Sequence, residues 1–224
     1  MTPNDLITKP RTNHLTALVL ASGSPRRKEL LQEAGAKFVV LPSDVEETVP
    51  QGAAPDSLVM YLAVLKSTAT ANLWDTLPEN LLILSADTIV VSPNGTVLGK
   101  PADEADAKEM LHSLSGKEHT VYTGFSLKWK GGQTAKAVPS TVRFRELTDE
   151  EIDAYIATGE PMDKAGAYAI QGLGGKFVEE FKGDFTNIVG LPMKELENTI
   201  QQELGKSLSD FQMDTIELPI SKKQ

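Results

Sequence analysis

Two short stretches of this chain carry residue types suited to phosphate chemistry. The first is Ser22-Gly23-Ser24-Pro25-Arg26-Arg27. Small residues let a backbone approach a ligand closely, and the serine hydroxyls can donate hydrogen bonds. Arg26 and Arg27 bring planar forks that match phosphate oxygens. A helix starting at Pro25 would aim its free N–H groups and positive dipole end at the same point, which makes an oxyanion site. The pattern is neither GxxxxGK[ST] nor GxGxxG. Taken alone, an ordinary Ser/Pro helix start with two surface arginines explains it equally well. The second stretch is residues 81–91 (LLILSADTIVV), in which Asp87 is the one charge. A carboxylate in such a run needs a partner. Asp87 could bind a metal, act as a general base, or cap a turn with Thr88.

Other candidates gain meaning beside a phosphate site. Asp44, Glu46 and Glu47 form an acidic loop that by itself reads as solvated surface. Polyphosphate chemistry needs a divalent cation, and Mg²⁺ is held by one or two carboxylates plus substrate oxygens. Lys66 lies in an apolar helical stretch and Lys100 in a compact Gly-Lys-Pro. Each can be a surface lysine or an ammonium aimed into a cleft. Asp103, Glu104 and Asp106 fit the first turn of a helix, where the dipole favours acids. Residues 159–177 hold five glycines, a density that suits tight turns and close backbone approach. Gln171 offers both a donor and an acceptor, the complement of a uracil or thymine edge. Tyr168 and Phe177 could stack on a base or simply fill the core.

The elements that must position these residues follow from periodicity and punctuation. Residues 15–21 and 37–41 read as short strands on either side of a helix over 26–34, with Pro25 at its first position, Ser24 as N-cap and Gly35 as its stop. Helices follow over 55–73, 102–115, 148–158 and 192–204, the third opening on a capping-box spacing from Thr148 to Glu151. Residues 81–91 form a buried strand, turned at 93–96 into a short return strand. Residues 118–130 and the stretch up to Arg145 form two more strands about Gly131-Gly132. Strands and helices alternate first and hairpins come later, an α/β plan with a mixed sheet. Residues 1–14 read as a loose lead-in and 205–224 as a polar, weakly ordered C-terminal tail.

Composition narrows the function classes. The chain has 224 residues, 22 Lys+Arg against 31 Asp+Glu, and a net charge of −9. That acidity excludes a sequence-independent nucleic-acid binder, whose affinity comes from massed Lys and Arg. No cysteine is present, so thiol nucleophiles and thiolate-bound zinc are excluded. Three histidines, at 14, 112 and 119, make a His-based metal cluster unsupported. No membrane span or signal-peptide pattern stands out, and a cytoplasmic protein is expected.

Several motifs together resemble one family, the Maf nucleoside triphosphate pyrophosphatases. Ala21 to Arg27 resembles its signature. Ser85-Ala86-Asp87-Thr88-Ile89-Val90 resembles its central strand, Gly99-Lys100-Pro101 its GKP turn, and Tyr122-Thr123-Gly124 a later strand. Asp163 to Tyr168 with Ile170-Gln171-Gly172, and then Val189-Gly190-Leu191-Pro192, resemble its closing motifs. The resemblance covers about residues 15–204, read as one Maf-like domain. It implies an inosine triphosphatase-like fold: an elongated mixed sheet flanked by helices, with two lobes and a central cleft. It implies hydrolysis of a nucleoside triphosphate to the monophosphate and pyrophosphate, in the service of nucleotide-pool housecleaning. Ala86-Asp87-Thr88 and Gln171 resemble the dTTP/UTP branch, which extends to modified pyrimidine nucleotides. By that match Asp87 is the proton acceptor, and Arg26, Thr88 and Gln171 set selectivity. Ser22, Ser24, Arg27, Lys66 and Lys100 bind substrate, and Glu46 with Asp87 holds a divalent cation, Mg²⁺ or Mn²⁺. A homodimer is compatible with the family. Residues 183–187 depart from the Gly-Ser-Tyr-His-Ala type of bacterial members. The rival expectations are a 7-methyl-GTP pyrophosphatase and a nucleotide-binding regulator of septum formation without turnover.

Overall fold

The computed structural model describes residues 14–47 and 52–212. Its core is a seven-stranded mixed sheet. The strands are β1 (Ala17–Leu20), β2 (Val39–Val40), β3 (Leu81–Val91), β4 (Val97–Leu98), β5 (Glu118–Trp129), β6 (Gly132–Phe144) and β7 (Val178–Lys182). Flanking them are α1 (Pro25–Glu33), α2 (Pro55–Ala71), α3 (Glu104–Leu114), α4 (Asp149–Ile156), α5 (Phe185–Val189) and α6 (Met193–Leu204). The order is β2-β1-β3-β5-β6-β7, with β4 beside β3. β1 pairs in parallel with β2 and β3, while β3, β5, β6 and β7 run antiparallel in succession. This is the expected α/β plan with a mixed sheet.

The long strands β3 and β5 each serve two cores on one face. Leu82, Leu84 and Ala86 with Phe125 and Leu127 pack against α1 and α6. Further along the same face, Val90 and Val121 pack against α3 and α4. Side chains alternate between faces with period two, so Thr88 and Thr123 fall on this face in the gap between the two cores. Asp87 falls on the opposite face, which carries α2. The open edge matters as much. β1 pairs with β3 only as far as Leu84, and β4 begins at Val90. Between those points the β3 edge has no ladder partner among the described residues. Asp87 and Thr88 therefore sit at a break in the sheet, between the loop after β1 and the turn after β4.

Local sequence accounts for most boundaries. Pro25 and Pro55 stand at helix starts, where a missing N–H costs nothing. Thr148 and Glu151 make the capping box. Asp103 caps α3 by accepting from the Asp106 amide at 2.8 Å. Two expectations change. Ser24 occupies the N-cap position of α1, but its hydroxyl caps nothing; its amide instead donates to Ser22 Oγ at 3.3 Å. Part of the tail packs: Leu208 and Phe211 are fully buried against the α1/α6 core, and the Gln212 amide donates to Thr16 O at 2.7 Å. Two large apolar side chains outweigh the polar composition around them. Residues 213–224, and 1–13 of the lead-in, lie outside the described residues. Among the described residues no helix is long and apolar enough to cross a membrane.

Candidate active site

A cleft of about 1420 Å³ opens at the break in the sheet. Ser22, Ser24, Arg26, Arg27, Lys66, Asp87, Thr88, Lys100 and Gln171 all line it. Each comes from a different structural cause. Ser22 to Arg27 follow the carboxyl end of β1, where open α/β sheets bind ligands. Lys66 reaches over from α2, Lys100 follows β4, and Gln171 stands on an exposed loop. Gly166 ties that last region to the β4 turn by donating to Gly99 O at 2.9 Å.

Glu46 is the predicted site residue that the structure does not bring into the cleft. It is exposed, and its neighbour Glu47 lines the cleft instead. Glu47 Oε1 lies 2.9 Å from Lys66 Nζ, and Asp87 Oδ1 lies 2.5 Å from the same nitrogen. Two hard carboxylates thus converge on one cationic point. That donor set suits Mg²⁺, which takes one or two protein carboxylates and completes its shell with other oxygens. No group of three or more His, Cys, Asp or Glu gathers among the described residues.

Arg27 lines the cleft with three of its five N–H donors engaged by the protein. Its Nε donates to Gly190 O at 2.8 Å, one terminal nitrogen to Ser22 Oγ at 2.9 Å, and the other to Thr88 Oγ1 at 3.0 Å. Burial lowers its pKa, opposed chiefly by the Asp87 charge; a guanidinium remains charged regardless. Arg27 therefore ties together the loop after β1, the β3 edge and the end of α5. The tie continues inward. Thr88 Oγ1 and Thr123 Oγ1 are 2.9 Å apart, and Thr123 donates to Asn187 O at 2.9 Å. With the Thr123 proton spent, Thr88 must donate to Thr123 while accepting from Arg27. Only a remaining lone pair of Thr88 is left for a ligand.

Arg26 is half-buried, and its Nε lacks a hydrogen-bond partner among the described residues. Its charge acts on Asp163 and Tyr155 nearby. Lys100 is exposed at the cleft wall. Five charged lining residues were given no role from sequence: Glu29, Glu47, Glu160, Asp163 and Lys164, the last two ion-paired to each other. Asp163 and Lys164 lie inside a motif already singled out, so their position was legible and their part was not. Glu160 had no signal, because its partners are backbone amides thirteen and fourteen residues on.

Tyr168 and Phe177 prove to be core. The Tyr168 hydroxyl is 2.8 Å from His119 Nε2. Its ring meets Phe144 edge-on at 4.7 Å, and Phe177 packs against Tyr155 at 4.9 Å. Burial pushes the His119 pKa down to about 4.

Fold and cleft together define a class: a mixed-sheet α/β protein with a sheet-edge cleft built from cations and two converging carboxylates. The chain belongs to the Maf-like protein family, whose model matches residues 17–203. It is similar to the dTTP/UTP pyrophosphatase of Bacillus cytotoxicus, 50% identical over 184 residues, covering 82% of this chain and 94% of that one. It is 48% identical over 185 residues to that of Bacillus thuringiensis subsp. konkukian, covering 83% and 94%. The Desulfitobacterium hafniense dTTP/UTP pyrophosphatase is 48% identical over 202 residues, covering 89% and 90%. Among solved structures, the Staphylococcus aureus Ham1 protein matches with a TM-score of 0.40 and 14% identity, over 72% of this chain and 79% of that one.

Proposed function

We propose that this chain is a nucleoside triphosphate pyrophosphatase that acts on dTTP and UTP in the cytoplasm. The observation that carries the reading is Asp87, a carboxylate at the unpaired β3 edge that shares one cleft with Arg26, Lys66 and Lys100. Relatives about half identical over most of the chain are named for this activity.

In this reading each residue has a part. The triphosphate lies over the 22–26 loop, where small residues and the α1 N-terminus receive phosphate oxygens. Arg26, Lys66 and Lys100 neutralise its charge. Asp87 orients a water for attack on the α phosphorus and accepts its proton. The bond from that phosphorus to the α–β bridging oxygen breaks, and pyrophosphate leaves with the electron pair. Arg27 and Thr88 hold the loop and the strand edge in register for this step. Glu47 and Asp87 would hold a divalent cation, which when bound supplies further neutralisation of phosphate charge. Such chemistry rests on positioning and electrostatics. Gln171, on the exposed loop, reads the pyrimidine edge.

A substrate panel tests the reading. Initial rates should be highest for dTTP and UTP and much lower for 7-methyl-GTP and the other common triphosphates. A preference for 7-methyl-GTP would place the chain in another branch. Binding without turnover of any of them would make it a nucleotide-sensing protein instead.

A further inference from the structure

The loop that carries Gln171 is folded around one carboxylate. Gly159, with φ of 75°, reverses the chain after α4, and Glu160 then starts a short 3₁₀ turn over Glu160–Asp163. Glu160 Oε1 accepts from the Tyr155 hydroxyl at 2.9 Å and from the Gly174 amide at 3.1 Å. Glu160 Oε2 accepts from the Leu173 amide at 3.0 Å. Two successive backbone N–H groups on one carboxylate form an anion-binding nest. The third donor is itself fixed, because the Tyr155 ring packs edge-on against Phe177 at 4.9 Å.

The glycines of this loop are explained by the same contact. A Cβ on Gly172 would stand 2.2 Å from Glu160 Oε1, and one on Gly174 would stand 2.7 Å from the Tyr155 hydroxyl. One on Gly175 would stand 2.4 Å from Ile170 O. The chain passes so close to Glu160, Tyr155 and Ile170 O that a methyl group at any of these positions would force its neighbour to move. Gln171 immediately precedes the first of them, exposed and outside any helix or strand. Its place relative to the cleft depends on two turns, the one it lies in, closed by the Gly172 amide donating to Ala169 O at 3.2 Å, and the one that follows it.

We propose that Glu160 positions Gln171 for reading the base, acting through the backbone of residues 172–174. The inference rests on the base-reading role proposed above for Gln171. Glu160 lines the cleft, and both its oxygens accept from protein donors, three bonds in all. Its carboxylate stays ionised: burial raises its pKa, but the Leu173 and Gly174 amides, the Tyr155 hydroxyl and the Lys164 charge together outweigh that and hold it below the usual carboxylate value. A charged acceptor holds three donors more firmly than a neutral one.

The test compares kcat/KM for UTP and CTP in the wild type, Glu160→Ala, Glu160→Gln, Gln171→Ala and Glu160→Ala/Gln171→Ala, with thermal midpoints. Gln171→Ala should lower the UTP:CTP ratio. Glu160→Ala should lower it by about tenfold, mainly through the KM for UTP, as expected when bonds to a charged group are lost. The double variant should match Gln171→Ala, because the two residues act as one unit. Glu160→Gln keeps the shape and one acceptor oxygen, so it should restore part of the ratio, and it carries the test should Glu160→Ala not fold. If Gln171→Ala lowers the ratio while both Glu160 variants keep it within twofold of wild type, Glu160 is a stability residue and the proposal fails. If Gln171→Ala leaves the ratio unchanged, the proposal falls with the base-reading role, and that arm shows the fault lies there.

Discussion

Gly124 offers a way to disturb the site with one methyl group and no change of charge. It pairs with Asp87 across the β3–β5 ladder, and its open face is covered by the backbone of α2. A Cβ there would lie 2.4 Å from Val59 C, 2.5 Å from Val59 O and 2.7 Å from Met60 N. Backbone cannot swing aside as a side chain does, so α2 or β5 must retreat. Reaching ordinary contact at 3.4 Å requires a shift of about 1 Å. The same helix presents Lys66 to Asp87 and Ser67 to Ser126, the latter at 3.0 Å. Overpacking of this kind costs about 1–3 kcal/mol. In a chain of this size each kcal/mol lowers the thermal midpoint by about 2–4 °C. A displacement of about 1 Å among positioned groups can reduce catalysis about 10²-fold. Gly124→Ala should therefore show both effects when thermal unfolding is paired with kcat/KM for UTP measured well below the midpoint. Gly131→Ala is the control: its φ of +86° makes the methyl unfavourable, but nothing stands within 4 Å, so α2 is not pushed. It should lose stability alone. If Gly124→Ala keeps its midpoint, or loses stability but keeps kcat/KM within twofold, the dependence of the site on α2 placement is refuted.

Other outcomes follow from the same geometry. Glu47→Gln should raise the Mg²⁺ concentration for half-maximal UTP turnover by at least about tenfold, whereas Glu46→Gln should shift it less than twofold; equal shifts would count against the assignment of Glu47. His119 is held neutral by burial, with its pKa lowered from 6.5 to about 4. Its contribution is therefore full above pH 6.5 and lost as pH falls from there to about 4, at most about 3 kcal/mol. Urea unfolding at pH 7 and pH 4.5 should show a smaller pH dependence in His119→Phe than in wild type, and identical slopes would sink the argument.

The parts of the site that were readable in the sequence are those whose chemistry is local. The 22–27 loop announced itself through small residues, Pro25 and two arginines placed after an apolar strand. Asp87 stood out as a charge in an apolar run. What stayed hidden depends on contacts between distant segments. Nothing near Arg27 says that Gly190, 163 residues away, takes its Nε proton. The choice between Glu46 and Glu47 turns on which way an irregular loop points, and two adjacent acids look alike on paper. The glycines at 172, 174 and 175 were visible as a cluster, but their reason is the volume of Glu160, Tyr155 and Ile170 O. Phe211 looked like tail because its neighbours are polar, yet it fills a core gap. β7 and the short α5 went unread for a similar reason: five-residue elements in a glycine-rich stretch carry too little periodicity to register.

The central claim is that Asp87 supports water attack at the α phosphorus. Its most direct test is to incubate UTP and Mg²⁺ with the purified protein and with Asp87→Asn, and to identify the products. UMP and pyrophosphate should form in equal amounts, and Asp87→Asn should reduce kcat by at least about 10². Formation of UDP and inorganic phosphate, or near-wild-type turnover by Asp87→Asn, would contradict it.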